Sequence, residues 1–80
     1  MDTIELIDKN GNKNNYEVCL LCNKNNKHYI VYRSLDGKEY YASYYKIKDG
    51  VILPELYNDL TNEEYKMLEK LYRKGALENV

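Results

Sequence analysis

Turn signals interrupt the first fifty of the 80 residues at short intervals. Asn-Gly stands at 10–11, Asp-Gly at 36–37 and again at 49–50, and the polar stretch 23–27 supplies a fourth break. Asn-Gly and Asp-Gly favour tight β-hairpins because these residues tolerate positive φ angles. Connections this short join neighbouring strands antiparallel. The sequence therefore predicts an antiparallel β-meander of four to five strands, over about residues 3–8, 14–22, 28–35, 38–48 and 51–53.

A helix signal follows the strands. Thr61 and Glu64 have the spacing of a capping box, in which each side chain bonds the backbone N–H of the other residue. Gly75 is typical of a helix end, so the helix is predicted over about 62–74. Strands followed by one helix indicate an α+β fold, with residues 1–80 as a single domain and the helix packed on one face of the sheet.

The helix sequence carries further expectations. Its apolar stripe is expected to pack on the sheet, with acidic residues in the first turn and basic residues in the last. The stripe comprises Tyr65, Leu68, Leu71 and Tyr72, the acidic residues are Glu63 and Glu64, and the basic ones are Arg73 and Lys74. Pro54 cannot donate a ladder hydrogen bond, so the last strand should end there at a sheet edge.

The register of the first hairpin follows from matching apolar faces. Strand two carries one clear apolar face, made of Tyr16, Val18, Leu20 and Cys22. A three-residue loop at 10–12 would pair Leu6 with Tyr16 and Ile4 with Val18, which places the apolar residues of both strands together. Gly11 or a neighbouring Asn should then have positive φ.

A two-residue turn at 36–37 sets the register of the central hairpin. It pairs Leu35 with Lys38, Arg33 with Tyr40, Val31 with Ala42, and Tyr29 with Tyr44. The opposite face, assigned to the core beneath the helix, holds Ile30, Tyr32, Tyr41, Ser43, Tyr45 and Ile47. A register slip of one residue would exchange the two faces.

The remaining face is predicted to point outward and to be the candidate binding surface. It holds Tyr29, Val31, Arg33, Lys38, Tyr40, Ala42, Tyr44, Lys46 and Lys48. It is aromatic and basic, and it has no carboxylate. The candidate binding residues are Tyr29, Arg33, Lys38, Tyr40, Tyr44, Lys46 and Lys48.

Two classes of partner compete for this surface. Tyr and Arg are enriched at protein interface hot spots, which favours a protein partner or a homodimer. Alternatively, tyrosines interleaved with Lys and Arg can stack the bases of RNA or another single-stranded nucleic acid. The net charge of -1 and the lack of an RNP1 pattern weaken that second reading. A purely structural surface is also open, since cross-strand Tyr pairs stabilise a sheet by about 0.2–1 kcal/mol each.

The tyrosine content is typical of aromatic side chains at the boundary between core and solvent, because each ring carries a hydroxyl. Ten residues are Tyr, and Phe and Trp are absent. On the pairing above, three tyrosines lie on the candidate face and six belong to the core, while Tyr57 has no assigned place. The six are Tyr16, Tyr32, Tyr41, Tyr45, Tyr65 and Tyr72.

Catalysis, metal binding and cofactor binding find little support. A chain of 80 residues has a thin core, and no spacing of nucleophile, base and orienting residue is visible. Cys19 and Cys22 form a C-x-x-C, but a second ligand pair is lacking and the motif lies in a strand-like run. We interpret both as structural cysteines and expect a protein that is not an enzyme and has no cofactor or metal.

The expected cellular compartment follows from the start of the sequence and from its hydropathy. The sequence starts without the positive region and long apolar stretch of a signal peptide, and it contains no run of membrane-spanning length. We therefore expect a cytoplasmic protein that does not enter the membrane.

Several segments together resemble one protein family. They are Ile4-Glu-Leu-Ile-Asp with the 10–12 turn, Lys27-His-Tyr-Ile-Val-Tyr, the Tyr-rich strand with Lys48-Asp-Gly-Val-Ile-Leu, and Glu63-Glu-Tyr-Lys-Met-Leu-Glu-Lys-Leu-Tyr. Over about residues 3–74 the chain is similar to the domain of unknown function 1292 family. The resemblance implies a small bacterial cytoplasmic protein of the Gram-positive and mollicute type, without assigned activity or catalytic residues. Members are usually strongly acidic, and this chain is not.

Overall fold

The computed structural model describes residues 3–7, 10–55 and 59–78, with the backbone alone for 75–78. This part of the chain holds five strands and one helix. They are β1 (Thr3–Ile7), β2 (Lys13–Lys24), β3 (Lys27–Ser34), β4 (Tyr40–Lys48), β5 (Val51–Pro54) and α1 (Asn62–Glu78). The strands form one antiparallel sheet in the order β1-β2-β3-β4-β5. The predicted α+β meander is confirmed, and Pro54 ends an edge strand as expected.

Left-handed backbone residues form the tight turns. Asn25 and Asn26 have φ of 54° and 62°, and Asp49 and Gly50 have 53° and 80°. Two successive positive φ angles match the twist of an antiparallel pair, which explains why these two-residue turns suit a hairpin. Gly11 has φ of 81°, which confirms the positive φ expected in the first loop.

The central hairpin keeps its predicted register across a longer loop. Arg33 faces Tyr40, Val31 faces Ala42 and Tyr29 faces Tyr44, as predicted. The strands, however, end at Ser34 and restart at Tyr40, and the Ser34 N–H donates to the Glu39 carbonyl at 2.9 Å. The predicted Leu35 to Lys38 pair is wrong, because the four residues 35–38 form the loop. The Asp36 carboxylate organises this loop by accepting bonds from the Ser34 hydroxyl and the Lys38 N–H.

The first hairpin is shifted by two residues from its predicted register. Ile4 pairs with Tyr16 and Leu6 pairs with Asn14. The last pair of the ladder joins Ile7 to Lys13, so five residues separate the strands and the predicted three-residue loop is wrong. Residues 8–9 of the loop lie outside the described part of the chain. A shift of two preserves which face each side chain takes, and Ile4, Leu6 and Tyr16 still meet in one cluster.

A β-bulge in β2 overturns the single apolar face predicted for this strand. Val18 pairs with Tyr32, but Leu20 already pairs with Val31, so Cys19 is an extra residue. The inserted residue reverses the alternation of side chains beyond it. Tyr16 and Val18 therefore pack on one side of the sheet, whereas Leu20 and Cys22 pack on the other. Cys19 also packs on that second side, so Cys19 and Cys22 share a face despite their spacing.

The sheet buries one of its faces by curling around it. Ile30, Tyr32 and Tyr45 form a buried cluster on this face. Side chains from both edge strands reach the cluster, with Ile4 and Leu6 from β1 and Ile52 from β5. Opposite edges can meet at one cluster only if the sheet is strongly curved, and the sheet is nearly barrel-shaped.

Helix α1 covers the opposite face, which corrects the predicted orientation. Tyr29 and Val31 are buried in one cluster with Leu60 and Leu68. This is the face that was expected to point outward, and Tyr29 is only 2% exposed. Of the set assigned to the core beneath the helix, Ile30, Tyr32, Ser43 and Tyr45 are buried, but the curvature of the sheet covers them and leaves the Tyr29 face for the helix. Tyr41 and Ile47 were wrongly assigned to the core, since they are 38% and 63% exposed.

The helix begins as predicted and ends later. Thr61 and Glu64 form the capping box, with bonds of 3.0 and 3.1 Å. The helix continues past Gly75 to Glu78, so the end at Lys74 is wrong and Arg73 and Lys74 are not in its last turn. An interior Gly costs a helix only about 1 kcal/mol, which is too little to stop it.

The apolar side of α1 also differs from prediction at one position. Leu68 is 2% exposed, with Met67 packed against its cluster, and Leu71 and Tyr72 are half-buried. Tyr65, expected in the core, is instead 44% exposed.

We expect Leu68→Ala to lower the free energy of unfolding by about 2–5 kcal/mol, because it leaves a cavity where α1 meets the sheet. Leu53→Ala is the matched control: Leu53 is 44% exposed, and its truncation should cost about 0.5 kcal/mol or less. Urea unfolding followed by circular dichroism measures both. Equal losses would contradict the proposed position of α1.

Candidate functional site

Glu64 joins the helix to two strands. Its carboxylate accepts the Thr61 N–H at 3.0 Å, the Tyr44 hydroxyl at 2.6 Å and the Tyr29 hydroxyl. The Lys27 ammonium lies 3.8 Å from the same carboxylate. Tyr29 is in β3 and Tyr44 faces it from β4, with ring centroids 5.6 Å apart. One side chain therefore caps α1 and fixes its first turn over the centre of the sheet.

The ionisation of these groups reflects the hydrogen bonds. Burial on its own would raise the pKa of Glu64, but the bonds from Thr61, Tyr29 and Tyr44 outweigh it and bring the pKa to about 2. Burial, followed by the bond to Glu64, raises the pKa of Tyr29 to about 12. The same carboxylate raises the pKa of Tyr44. The protein thus holds a carboxylate and two neutral phenols, an arrangement that suits structure rather than proton transfer near neutral pH.

A second row of contacts crosses the sheet further along α1. The Arg33 guanidinium bonds the Glu17 carboxylate at 2.7 Å and the Tyr40 hydroxyl at 3.4 Å. These three residues lie side by side on β2, β3 and β4. Tyr72 of α1 packs edge-on against Tyr40, with ring centroids 6.1 Å apart. The contacts order the ring of Tyr40 while leaving 52% of the residue exposed.

The predicted binding residues thus divide by exposure. Tyr29 is buried and Tyr44 is half-buried, with both hydroxyls on Glu64. The Lys46 ammonium lies 3.2 Å from the Glu55 carboxylate. Those predicted residues that are exposed are Lys38, Tyr40, Lys46 and Lys48, while Arg33 is half-buried. The structure does not assemble the seven residues into one open surface.

A groove lies between α1 and the first half of β4. Its volume is about 380 Å³. The lining is largely apolar or aromatic: Val31, Tyr40, Tyr41, Ala42, Tyr65, Leu68, Glu69 and Tyr72. Tyr40 and Tyr65 border it with about half of each residue in solvent, and Tyr41 is 38% exposed. We refer to this feature as the tyrosine groove.

A cavity of about 410 Å³ adjoins the groove across β4, and we call it the hydroxyl cavity. Tyr16, Tyr32 and Tyr41 form a compact aromatic group in its wall, with ring centroids 5.3–5.7 Å apart. The buried hydroxyl of Ser43 also lines it, next to Tyr32. Carboxylates come from Glu55 and Asp59. Tyr40, Tyr41, Ala42 and Tyr65 line both the hydroxyl cavity and the tyrosine groove.

Sequence reasoning missed two parts of this arrangement. Glu64 was identified as a cap, but nothing in its spacing indicated that Tyr29 and Tyr44 would donate to it. Tyr65 and Tyr72 were assigned to the core and in fact line the tyrosine groove. The available signal was the face of α1 that carries Glu64 with Leu68, spaced by four residues, which places both toward the sheet.

The cysteines and the chain as a whole add few further features. Cys19 and Cys22 are free, and burial raises the pKa of the Cys19 thiol. Among the described residues, no group of three or more His, Cys, Asp or Glu side chains is placed to hold a metal ion. The one described helix falls short of the length and apolarity that crossing a membrane requires.

Comparisons with the models of known protein families, with curated proteins and with solved structures give no match. The resemblance to the domain of unknown function 1292 family therefore stays a prediction, and the functional argument depends on the geometry of the chain itself.

Glu64→Gln should lower the free energy of unfolding at neutral pH by about 1–3 kcal/mol, because an amide cannot replace all the bonds that the carboxylate accepts. The unfolded chain protonates Glu64 near its usual pKa of 4.5, whereas the folded chain holds the carboxylate down to about 2. The stability due to this group is thus present above pH 4.5 and is lost as the pH falls toward 2. The difference between wild type and variant should shrink over that range.

Glu63→Gln controls for the loss of a charge in the first turn of α1, since Glu63 is exposed. It should cost about 0.5 kcal/mol. Chemical unfolding at a series of pH values measures all three proteins. A Glu64→Gln effect that matches Glu63→Gln, or that does not change with pH, would show that the bonds to Tyr29 and Tyr44 contribute nothing.

Proposed function

We propose that this protein is a non-enzymatic interaction module whose tyrosine groove binds a protein partner. The observation that carries the proposal is the groove itself, an apolar concave surface bordered by the half-exposed rings of Tyr40 and Tyr65. Tyrosine is enriched at interface hot spots because it brings a large contact area with few rotors to freeze. This binding site lies at the junction between the sheet face and α1 rather than on the sheet face alone.

Order in the tyrosine rings supports a binding role. Arg33 and Tyr72 hold the ring of Tyr40 from two sides, while about half of the residue remains in solvent. A side chain that is already ordered loses little conformational entropy when a partner covers it. The floor of the groove comes from Val31, Ala42 and Leu68, so an apolar partner side chain would be desolvated there.

The charges near the groove favour a protein over a nucleic acid. Asp59 adds a carboxylate to the adjoining hydroxyl cavity, while the carboxylates of Glu55 and Glu69 are paired with Lys46 and Arg73. Of the basic residues in the predicted surface, Arg33 is paired with Glu17 and Lys46 with Glu55. A stacking platform for single-stranded nucleic acid requires free rings beside free cations, so RNA binding is the weaker proposal.

Tyr40→Ser with Tyr65→Ser should remove the walls of the groove and leave the bonds of Glu64 in place. We expect partners captured from a lysate by the wild-type chain to fall at least about tenfold with the double variant, as loss of two interface tyrosines would give. Quantitative mass spectrometry of the captured proteins measures the change, and circular dichroism checks that the variant is folded.

The matched control is Ile47→Ser with Leu53→Ser, which removes two exposed apolar side chains elsewhere on the sheet. It should leave the capture unchanged. Partners recovered equally by the groove variant and the wild type would reject the tyrosine groove as the binding site. Sedimentation of the same proteins tests the homodimer, which only the groove variant should dissociate.

A further inference from the structure

Four tyrosine rings line the tyrosine groove, two from β4 and two from α1. They are Tyr40, Tyr41, Tyr65 and Tyr72. The rings of Tyr40 and Tyr72 have centroids 6.1 Å apart and planes inclined at 62°, so they stand like adjacent walls of a corner. Glu55 and Asp59, where the described chain breaks off and resumes between β5 and α1, line the hydroxyl cavity and not the groove. The groove is thus a concave surface with aromatic walls contributed by two elements.

The spacing along α1 leaves room for one side chain between two of these rings. Tyr65 and Tyr72 are seven residues apart in the helix, which is two turns and about 10.5 Å along its axis. Leu68 lies between them, is buried and forms the floor of this space. A group seated midway above Leu68 would lie about 5 Å along the axis from each tyrosine. A cation is attracted to an aromatic ring within about 6 Å of its centroid, so one cation can interact with both rings.

The charges at the groove suit a cation. Among the described residues that line it none is basic, and Glu69 is acidic. The Glu69 carboxylate is paired with Arg73 at 2.6 Å, so we count no free charge from it. The Arg33 guanidinium bonds the Tyr40 hydroxyl, and its charge is balanced by Glu17. The attraction for a cation therefore comes from the tyrosine rings, whose faces carry negative charge density.

A methylated ammonium fits this lining better than an ammonium that carries N–H groups. The ammonium of lysine has three donors, and burying a donor without an acceptor is costly. The side chains of the groove floor offer no acceptor, since they are those of Val31, Ala42 and Leu68. A trimethylammonium has no N–H to satisfy, and its methyl groups can contact the aliphatic floor while its charge interacts with the rings. Aromatic cages recognise methyl-lysine and choline by the same combination.

We infer that the partner protein presents a trimethylated lysine side chain, which binds in the tyrosine groove between Tyr65 and Tyr72. Tyr40 lines the other side of the groove from β4, where Arg33 and Tyr72 already order its ring. An ordered ring loses little conformational entropy on binding. The long aliphatic stem of lysine lets a residue on a protein surface reach into a groove. The inference rests on the proposed function and specifies the chemical group that the groove recognises.

The test uses the full chain and three end-capped five-residue peptides that differ in their central side chain alone. It is trimethyllysine, lysine, or the neutral isostere in which carbon replaces the charged nitrogen. Amide chemical shifts of the ¹⁵N-labelled protein report the site and the affinity, and we expect shifts at Ala42, Tyr65, Leu68 and Tyr72. The trimethyllysine peptide should bind at least about fivefold more tightly than either of the others, as cation–π contacts would give. Equal binding of trimethyllysine and its neutral isostere, or no binding at millimolar concentration, would overturn the inference.

A matched pair of variants separates the ring of Tyr65 from its apolar bulk. Tyr65→Leu should weaken binding of the trimethyllysine peptide at least about threefold and change binding of the neutral isostere less than about twofold. Tyr65→Phe keeps the ring, so it should bind both peptides within about twofold of the wild type. Tyr65 is 44% exposed, and circular dichroism checks that both variants are folded. Equal losses for the two peptides in Tyr65→Leu would overturn recognition of the cation by this ring.

Failure of the inference and failure of the proposed function give different results. If trimethyllysine has no advantage but the wild type captures partners that the groove variant loses, recognition of trimethyllysine is overturned and the groove stands as a protein-binding site. If neither peptide binding nor tyrosine-dependent capture is seen, both fail. Free choline that binds the groove more tightly than the trimethyllysine peptide would overturn the choice of a protein side chain over a small molecule. Oligouridine that shifts the same amides at low salt, where the peptides do not, would overturn the choice of a protein partner.

Discussion

The position of α1 depends on the carboxylate of Glu64. This group satisfies a backbone N–H at the start of the helix and accepts the hydroxyls of Tyr29 and Tyr44 from two neighbouring strands. A buried carboxylate is costly unless it is hydrogen-bonded, and a buried tyrosine likewise needs a partner for its hydroxyl. Here the two tyrosine hydroxyls donate the hydrogen bonds that the Glu64 carboxylate needs, and the carboxylate is the acceptor that both hydroxyls need. Tyrosine can therefore fill positions under the helix where phenylalanine would remove the two hydroxyl donors to Glu64.

This arrangement decides which parts of the sheet remain accessible. Curvature closes one face around Ile30, Tyr32 and Tyr45, and the helix closes the centre of the other. Because Glu64 fixes the first turn over Tyr29 and Tyr44, the next turns pass beside β4 with Tyr65 and Leu68 near Ala42. Among the described strands, β5 pairs with β4 only over Tyr45–Lys48. The tyrosine groove is thus a consequence of where the helix is anchored.

The sequence predicted most of the architecture because the information for it is local. The Gly turns, the capping box and the pairing of Arg33 with Tyr40 depend on residues close together in the chain. Which face the helix covers depends on contacts between residues up to 35 positions apart, such as Tyr29 and Glu64. The bulge at Cys19 also reversed the alternation within β2, and an apolar run of Val, Cys, Leu and Leu gives no period that would indicate it. The predicted surface was consequently placed on the wrong side of the core, while the exposure of Tyr40 was predicted correctly.

Native-state amide hydrogen exchange at residues 40–43 tests the central claim, that β4 pairs with β3 in this register beneath the anchored helix. The Tyr41 and Ser43 amides point toward β3, whereas the Tyr40 and Ala42 amides point away from it, where no described backbone group bonds them. We expect Tyr40 and Ala42 to exchange at least about tenfold faster than Tyr41 and Ser43. Equal protection of all four amides, or faster exchange at Tyr41 and Ser43, would contradict it.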